Sequence, residues 1–205
     1  MNRLTQKGVE GQRGELFHMI LFAMPWIMIG EYSWDFSDYA IGATLVLILV
    51  VWLGLYSIKL YNLEDSLPEE ELTEHDARDS AREKKRQWLF AFIFIFEGIA
   101  IMITWTLLLK LHREHLLIPC FAFIAGLHFF PLAIVIKHNS YYILGIWVCM
   151  VAVGGLQLFY QHIISFQIAN TLIAYGCAIG ALVDGFAVMV RMQRLKRHGM
   201  SDILP

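Results

Sequence analysis

Charged residues are scarce in this chain of 205 residues: they make up 17% of it, whereas 58% of the residues are hydrophobic. An ordinary soluble domain has roughly 25% charged and 45–50% apolar residues. The apolar excess excludes a disordered chain, and its concentration in long blocks argues against a single water-soluble core. The net charge of −2 gives no indication of a nucleic-acid partner. We therefore predict a polytopic membrane protein.

The sequence also lacks the common signatures of soluble chemistry. Its 3 cysteines form no C-x-x-C pair, which excludes a zinc-ribbon spacing and a disulfide framework. No G-x-x-x-x-G-K, G-x-S-x-G or H-E-x-x-H motif is present. These absences predict no cofactor and no metal site, and they favour a protein that is not an enzyme. An intramembrane enzyme acting on a lipid-like substrate stays open as an alternative.

Long apolar stretches define the predicted architecture. A hydrocarbon core of about 30 Å needs about 20 mostly apolar residues in a helix. Six stretches approach or meet that length, and they cover residues 16–34, 39–60, 88–109, 116–136, 141–160 and 166–190. The first contains Pro25 and could be a signal peptide, but no small-x-small cleavage site follows it, which favours an uncleaved helix. We predict an all-α bundle of six transmembrane helices that forms one domain over residues 1–205.

Basic residues set the predicted orientation, because positive charge is retained on the cytoplasmic side during insertion. With six crossings, Lys110 and Arg113 fall on one side, and the other fourteen of the 16 lysines and arginines fall on the opposite side. Those fourteen are Arg3, Lys7, Arg13, Lys59, Arg78, Arg82, Lys84, Lys85, Arg86, Lys137, Arg191, Arg194, Lys196 and Arg197. Both termini are therefore expected in the cytoplasm, in a membrane of the bacterial cytoplasmic type.

The largest polar connection covers residues 61–87. Its acids crowd the start and its bases the end, which matches the helix dipole and predicts a polar helix over about 68–87. One interpretation is a docking surface for a cytoplasmic partner at 64–83. The other is a solvated extension whose Lys84, Lys85 and Arg86 rest against lipid headgroups.

Three ionisable residues lie inside the predicted crossings. By helical rise, Glu97 lies about 13 Å, His128 about 12 Å and Asp184 about 9 Å from the cytoplasmic edge. Such groups survive in a bilayer mainly where they face protein or water. Their similar depth predicts a proton or cation relay if their helices are neighbours. For Asp184 an equal alternative is an anchoring pair with Arg191 or Arg194.

Other polar and small residues extend this prediction. Thr104, Asn170 and Gln157 are expected to line a route to the relay. Gly176 and Gly180 form a G-x-x-x-G on the sixth crossing, and the simplest reason for that motif is close helix packing.

These features predict a small integral membrane transporter or channel-like protein for an ion or small solute, with proton coupling through the acid and histidine side chains. The alternative is a non-catalytic scaffold or signalling subunit that binds a partner through residues 61–87. Six short helices leave little room for a wide pore, which favours a homo-oligomer embedded in the lipid bilayer.

Overall fold

The computed structural model describes residues 6–33, residues 48, 51–52, 55–56 and 58–59, and residues 75–201. Those residues form helices and short connections, without strands. The main helices are α1 (Gln6–Ser33), α2 (His75–Lys110), α3 (Leu117–Ile136), α4 (Ser140–Tyr160) and α5 (Phe166–Ser201). A single 3₁₀ turn, Glu114–Leu116, precedes α3.

Five of the described helical segments are long and apolar enough to cross a membrane. They are Arg13–Ser33, Lys84–Lys110, Glu114–Ile136, Ser140–Tyr160 and Phe166–Arg191. They correspond to the first, third, fourth, fifth and sixth predicted crossings. The chain therefore has the features of a multi-pass integral membrane protein. Most of the second predicted crossing, 39–60, lies outside the described residues. The count of six and the cytoplasmic termini therefore stay predictions.

The described positions of the second crossing are all helical, at residues 48, 51–52, 55–56 and 58–59. The hydroxyl of Tyr56 lies 3.5 Å from the carbonyl oxygen of Met189 on α5. Trp52 lines an apolar cavity of about 350 Å³ together with residues of α1 and α5. The described residues Tyr56 and Trp52 therefore lie beside α5 and beside the α1–α5 contact.

The polar segment before the third crossing belongs to one long helix. α2 runs without a break from His75 to Lys110, a length of 36 residues. At 1.5 Å per residue this helix is about 54 Å long, longer than a hydrocarbon core of about 30 Å. Its N-terminal part must therefore extend beyond the apolar span. Residues 68–74, where the polar helix was predicted to begin, lie outside the described residues.

The helices pack in a defined order: α5 contacts α1, α3 and α4, and α3 also contacts α2 and α4. The buried core is built from α1, α3, α4 and α5. In contrast, α2 exposes large apolar side chains along its length, including Trp88, Phe92, Phe96 and Met102. A helix of that kind suits contact with lipid, because its outward apolar side chains need no protein partner there.

Glycines set the closest approach of α3 and α4. A Cβ added to Gly145 would lie 2.9 Å from the carbonyl oxygen of Gly126 and 3.1 Å from Cβ of Phe129. The two helices therefore touch through backbone at this crossing, as small residues permit in membrane proteins. Neither glycine was singled out from the sequence.

Gly176 and Gly180, which the sequence suggested as packing positions, face α4. A Cβ on Gly176 would lie 2.6 Å from Cγ1 of Val151, and one on Gly180 would lie 2.6 Å from Cδ1 of Trp147. The Trp147 indole N–H also donates a hydrogen bond of 2.8 Å to the carbonyl oxygen of Gly176. The α4 and α5 helices are therefore joined by close packing and by one polar contact.

Three of the helices are followed by a residue in the left-handed backbone conformation. His112, Lys137 and His162 have φ values of 53°, 59° and 57°. This conformation is typical of helix C-termini, where it satisfies the last carbonyl groups. After Lys137 the backbone N–H of His138 bonds to the carbonyl oxygen of Ala133 at 3.3 Å. The tight turn places His138 at the end of the bundle, beside the start of α4.

Candidate functional site

Two of the three predicted relay residues meet in the structure. Nδ1 of His128 on α3 lies 3.2 Å from Oε1 of Glu97 on α2. The side chains are only 4% and 13% exposed, respectively. The atoms are at ion-pair distance, yet among the described residues neither ring nitrogen of His128 makes a hydrogen bond of regular geometry. The pair is therefore buried with part of its hydrogen-bonding capacity unused.

A second histidine, His18 of α1, completes this group. Its ring centroid lies 6.2 Å from that of His128, and the side chain is buried. Within the described part of the chain, its Nε2 atom has no hydrogen-bond partner. We call His18, Glu97 and His128 the histidine cluster. Sequence reasoning missed His18, although it follows Glu15 at i+3, a spacing that puts both on one helix face.

Phenylalanine rings surround the histidine cluster. The ring centroids of Phe94 and Phe22 lie 5.6 and 6.0 Å from that of His128, and Phe129 lies at 4.2 Å. Phe90 lies 5.9 Å from His18. Such apolar surroundings make an isolated charge costly. A proton shared between the acid and an imidazole is the arrangement that avoids such a charge.

The third predicted residue, Asp184, belongs to a different group at the end of the bundle. Its carboxylate is hydrogen-bonded by Ser140 and lies within electrostatic range of His138 and Arg191. His138 is also 3.5 Å, Nδ1 to Oε1, from Glu15 of α1. We call Glu15, His138, Ser140, Asp184 and Arg191 the end cluster. The proximity of Arg191 corresponds to the anchoring alternative for Asp184.

The hydrogen bonds of the end cluster have a defined direction. Arg191 Nη1 contacts Nε2 of His138, and a guanidinium can only donate, so Nε2 must accept. Nδ1 of His138 therefore carries the hydrogen and donates to the hydroxyl oxygen of Ser140 at 2.6 Å. The hydroxyl hydrogen of Ser140 is then available to the carboxylate of Asp184.

His138 is neutral in this arrangement. Burial lowers the pKa of His138 below its usual range, and the Arg191 guanidinium lowers it further, while Asp184 acts in the opposite direction. His138 lies in the connection between α3 and α4, outside the membrane-spanning segments. Its side chain is 27% exposed, so it joins the end cluster to the solvent side of the bundle.

Tyr141 lies between the two clusters. Its ring centroid is 6.3 Å from that of His18 and 6.2 Å from that of His138. The residue is fully buried, and its hydroxyl has no hydrogen-bond partner in the part of the chain that the structure describes. Glu15 and Asp184 are both within electrostatic range of it. Polar groups thus extend from Glu97 to the end of the bundle.

The predicted route residues lie elsewhere. Thr104 is half-buried on α2, about two turns beyond Glu97. Asn170 is buried, and its Oδ1 atom is unpartnered within the described ranges, whereas Gln157 is exposed. Gly155 faces Ile173, so Gln157 and Asn170 are at a similar level on adjacent helices. A role of these residues in a transport route stays a prediction.

Neither a metal site nor the apolar cavity accounts for the clusters. No group of three or more His, Cys, Asp or Glu side chains that could hold a metal ion occurs among the described residues. The cavity beside Trp52 is lined by apolar residues such as Leu16, Met19 and Phe186. Comparison of the chain with protein-family models, with curated proteins and with solved structures found no match. Function is therefore inferred from the geometry of the two clusters.

Proposed function

We propose that this protein is a proton-coupled membrane transporter of an ion or small solute, with the histidine cluster as its proton-binding site. The observation that carries the proposal is the contact of 3.2 Å between Glu97 and His128, buried among phenylalanine rings and beside His18. The finer topology belongs to the same proposal: six crossings, both termini in the cytoplasm, and assembly into a homo-oligomer in a bacterial-type cytoplasmic membrane.

The chemistry of the histidine cluster supports proton exchange over simple helix packing. A charged residue at the bilayer centre costs about 2.5–3.5 kcal/mol on insertion scales, and close packing does not require one. Glu97 and His128 together stay neutral when they share one proton. One more proton, which His18 or His128 can accept, adds a full positive charge. An imidazole can both accept and donate a proton, which a proton-binding site requires.

Polar groups lead from the histidine cluster toward the predicted cytoplasmic side, which carries most of the lysines and arginines, and they support the same function. The Tyr141 ring lies between the histidine cluster and the end cluster, and the His138 side chain is 27% exposed at the end of the bundle. Hydroxyl and imidazole groups both donate and accept hydrogen bonds, which proton transfer along a chain requires. Protons would then exchange with the cytoplasm through the end cluster.

Proton flux in proteoliposomes tests the proposal. The full-length chain is reconstituted around an entrapped pH-sensitive dye, and a potassium gradient with valinomycin drives protons, with and without a panel of inorganic ions, sugars and amino acids. We expect Glu97→Gln to slow proton movement at least tenfold, because it removes the proton acceptor of His128 and keeps the side-chain size. Glu114→Gln is the matched control, since Glu114 is exposed beyond the end of α2. Equal flux in wild type and Glu97→Gln, at equal reconstitution, would contradict the proposal.

The length of α2 favours a second candidate function, that of a scaffold. The part of α2 before the apolar span, from His75 onward, stands outside the membrane on our topology and offers a helical surface to a cytoplasmic partner. In that case deletion of residues 64–83 abolishes the pull-down of the partner. Proton flux would then be absent from the wild type as well.

A further inference from the structure

We infer that the end cluster, together with Tyr141, binds one monovalent hard cation, for which Na⁺ is the probe. The carboxylates of Glu15 and Asp184 and the hydroxyl of Tyr141 would be its ligands. The inference goes beyond the proposed function, because binding of a cation here does not depend on proton movement through Glu97.

Three buried oxygen atoms carry the inference. Oε1 of Glu15, Oδ2 of Asp184 and the hydroxyl of Tyr141 have no hydrogen-bond partner among the described residues. Glu15 and Asp184 are only 9% and 8% exposed, and Tyr141 is 0% exposed. They come from α1, α5 and α4; Asp184 acts electrostatically on Glu15, and both carboxylates act on Tyr141. Buried polar atoms are nearly always partnered, so three buried oxygens without a hydrogen-bond partner, from three helices, point to a ligand-binding site.

The charges near these oxygens favour a ligand with a single positive charge. Among the described basic residues, Arg191 acts electrostatically on both Glu15 and Asp184. Its positive charge balances the charge of one of the two carboxylates. His138 adds no charge, because its Nε2 atom accepts from Arg191. When both carboxylates are ionised, one negative charge is left in a mostly apolar bundle, where an unpaired charge is costly.

The atoms available decide the class of cation. Carboxylate and hydroxyl oxygens are ligands for hard cations, whereas imidazole nitrogen favours transition metals. The described residues provide no group of three or more His, Cys, Asp or Glu that could hold a metal ion, so the ligands of the inferred site are two carboxylates and one hydroxyl. Nδ1 of His138 is already committed to Ser140, which leaves oxygen as the ligand type that this cluster offers.

The Ser140 hydrogen bond keeps one oxygen of Asp184 free for the cation. Ser140 donates toward the Asp184 carboxylate, while Oδ2 is the oxygen without a partner in the described part of the chain. His138 donates to the Ser140 hydroxyl and Arg191 donates to His138, so both act on the carboxylate through Ser140 and through their electrostatic effect. In this arrangement the two residues position the ligands rather than bind the ion.

Binding of ²²Na⁺ to the purified full-length protein in detergent at pH 8 tests the inference, with choline as the replacement ion. We expect saturable binding of about one ion per chain, displaced by unlabelled Na⁺ and not by choline. Acidification should weaken binding, because protons compete for Glu15 and Asp184, while His138 and His18 gain positive charge beside them. A wild-type protein with no saturable Na⁺ binding at pH 8 would overturn the inference and leave a proton as the balancing charge.

Variants separate this site from nonspecific binding. Glu15→Gln and Asp184→Asn should each weaken Na⁺ binding at least tenfold, and Tyr141→Phe, which changes no charge, should weaken it severalfold. Glu31→Gln, at the opposite end of α1, is the matched control and should bind as the wild type does. Unchanged Na⁺ affinity in folded Glu15→Gln and Asp184→Asn would equally refute the site. If a variant aggregates, the wild-type saturation curve still decides the result, and it does so whether or not protons move through Glu97.

Discussion

Replacement of Gly145 by alanine is a direct test of the packing that positions both clusters. The new Cβ would lie 2.9 Å from the carbonyl oxygen of Gly126 and 3.1 Å from Cβ of Phe129. Ordinary van der Waals distances of such an atom begin near 3.4 Å, so α3 and α4 must separate by several tenths of an ångström. Because the obstacle is backbone, no side-chain rotation relieves it. The change would shift His128 relative to Tyr141.

The expected magnitude follows from two opposing effects. Overpacking of a well-packed site costs about 1–3 kcal/mol. Alanine in place of glycine within a helix returns up to about 1 kcal/mol. We therefore expect Gly145→Ala to destabilise the protein by about 1–2 kcal/mol. Gly154→Ala, on the same helix, should be neutral or stabilising, since no atom of the described residues lies within 4 Å of its added Cβ.

The unfolding free energy of both variants is measured by reversible unfolding in mixed micelles, induced by titration with sodium dodecyl sulfate. The informative quantity is the difference in unfolding free energy between the two variants. Both replace a glycine of α4 by alanine, so the change in helix propensity is the same in each. Gly145→Ala should also slow proton flux, as it displaces α3, whereas Gly154→Ala should not. Equal unfolding free energies for the two variants would refute the reasoning about the backbone contact.

Three further changes probe the ends and the contacts of the bundle. Tyr175→Phe removes the hydroxyl that bonds to Glu31 and should cost about 1 kcal/mol in the same unfolding assay. Trp147→Phe removes the indole hydrogen bond to α5 and should cost a similar amount, about 1 kcal/mol. Because the pKa of His138 is lowered in the folded protein, the unfolded chain binds more protons than the folded protein does at pH values between that lowered pKa and about 6.5. Stability should therefore rise with pH across that window, because a protonated His138 cannot accept the hydrogen bond from Arg191, and His138→Gln should flatten the thermal-stability profile there.

The helices were predictable because each is an apolar block bounded by polar residues. The predicted crossings 88–109, 116–136 and 141–160 agree within a few residues with Lys84–Lys110, Glu114–Ile136 and Ser140–Tyr160. Hydrocarbon thickness sets that length, and it does not depend on which helices touch. The polar helix predicted over about 68–87 was expected to lead into the third crossing, and from His75 to Lys110 the structure has one continuous helix, α2.

The composition of the clusters was less accessible from the sequence. Depth alone suggested that Glu97 and His128 could meet, since helical rise depends only on residue number. Neighbour relationships and rotation about each helix axis depend on packing, and no single-sequence pattern contains them. Asp184 therefore shares its surroundings with Glu15 and His138, which lie just outside the predicted crossings and were passed over in the search for mid-membrane charges.

The two clusters are close enough for their occupants to influence each other. Tyr141 lies against both, with His18 on one side and His138 on the other. On our two proposals, a cation held at Glu15 adds positive charge one helical turn from His18, which disfavours a further proton there. Linkage then requires that protonation of the histidine cluster weakens cation binding by the same factor. If Na⁺ on the side of the end cluster leaves proton flux unchanged, the two clusters act separately. If Na⁺ inhibits proton flux in the wild type and not in Asp184→Asn, the protein couples them.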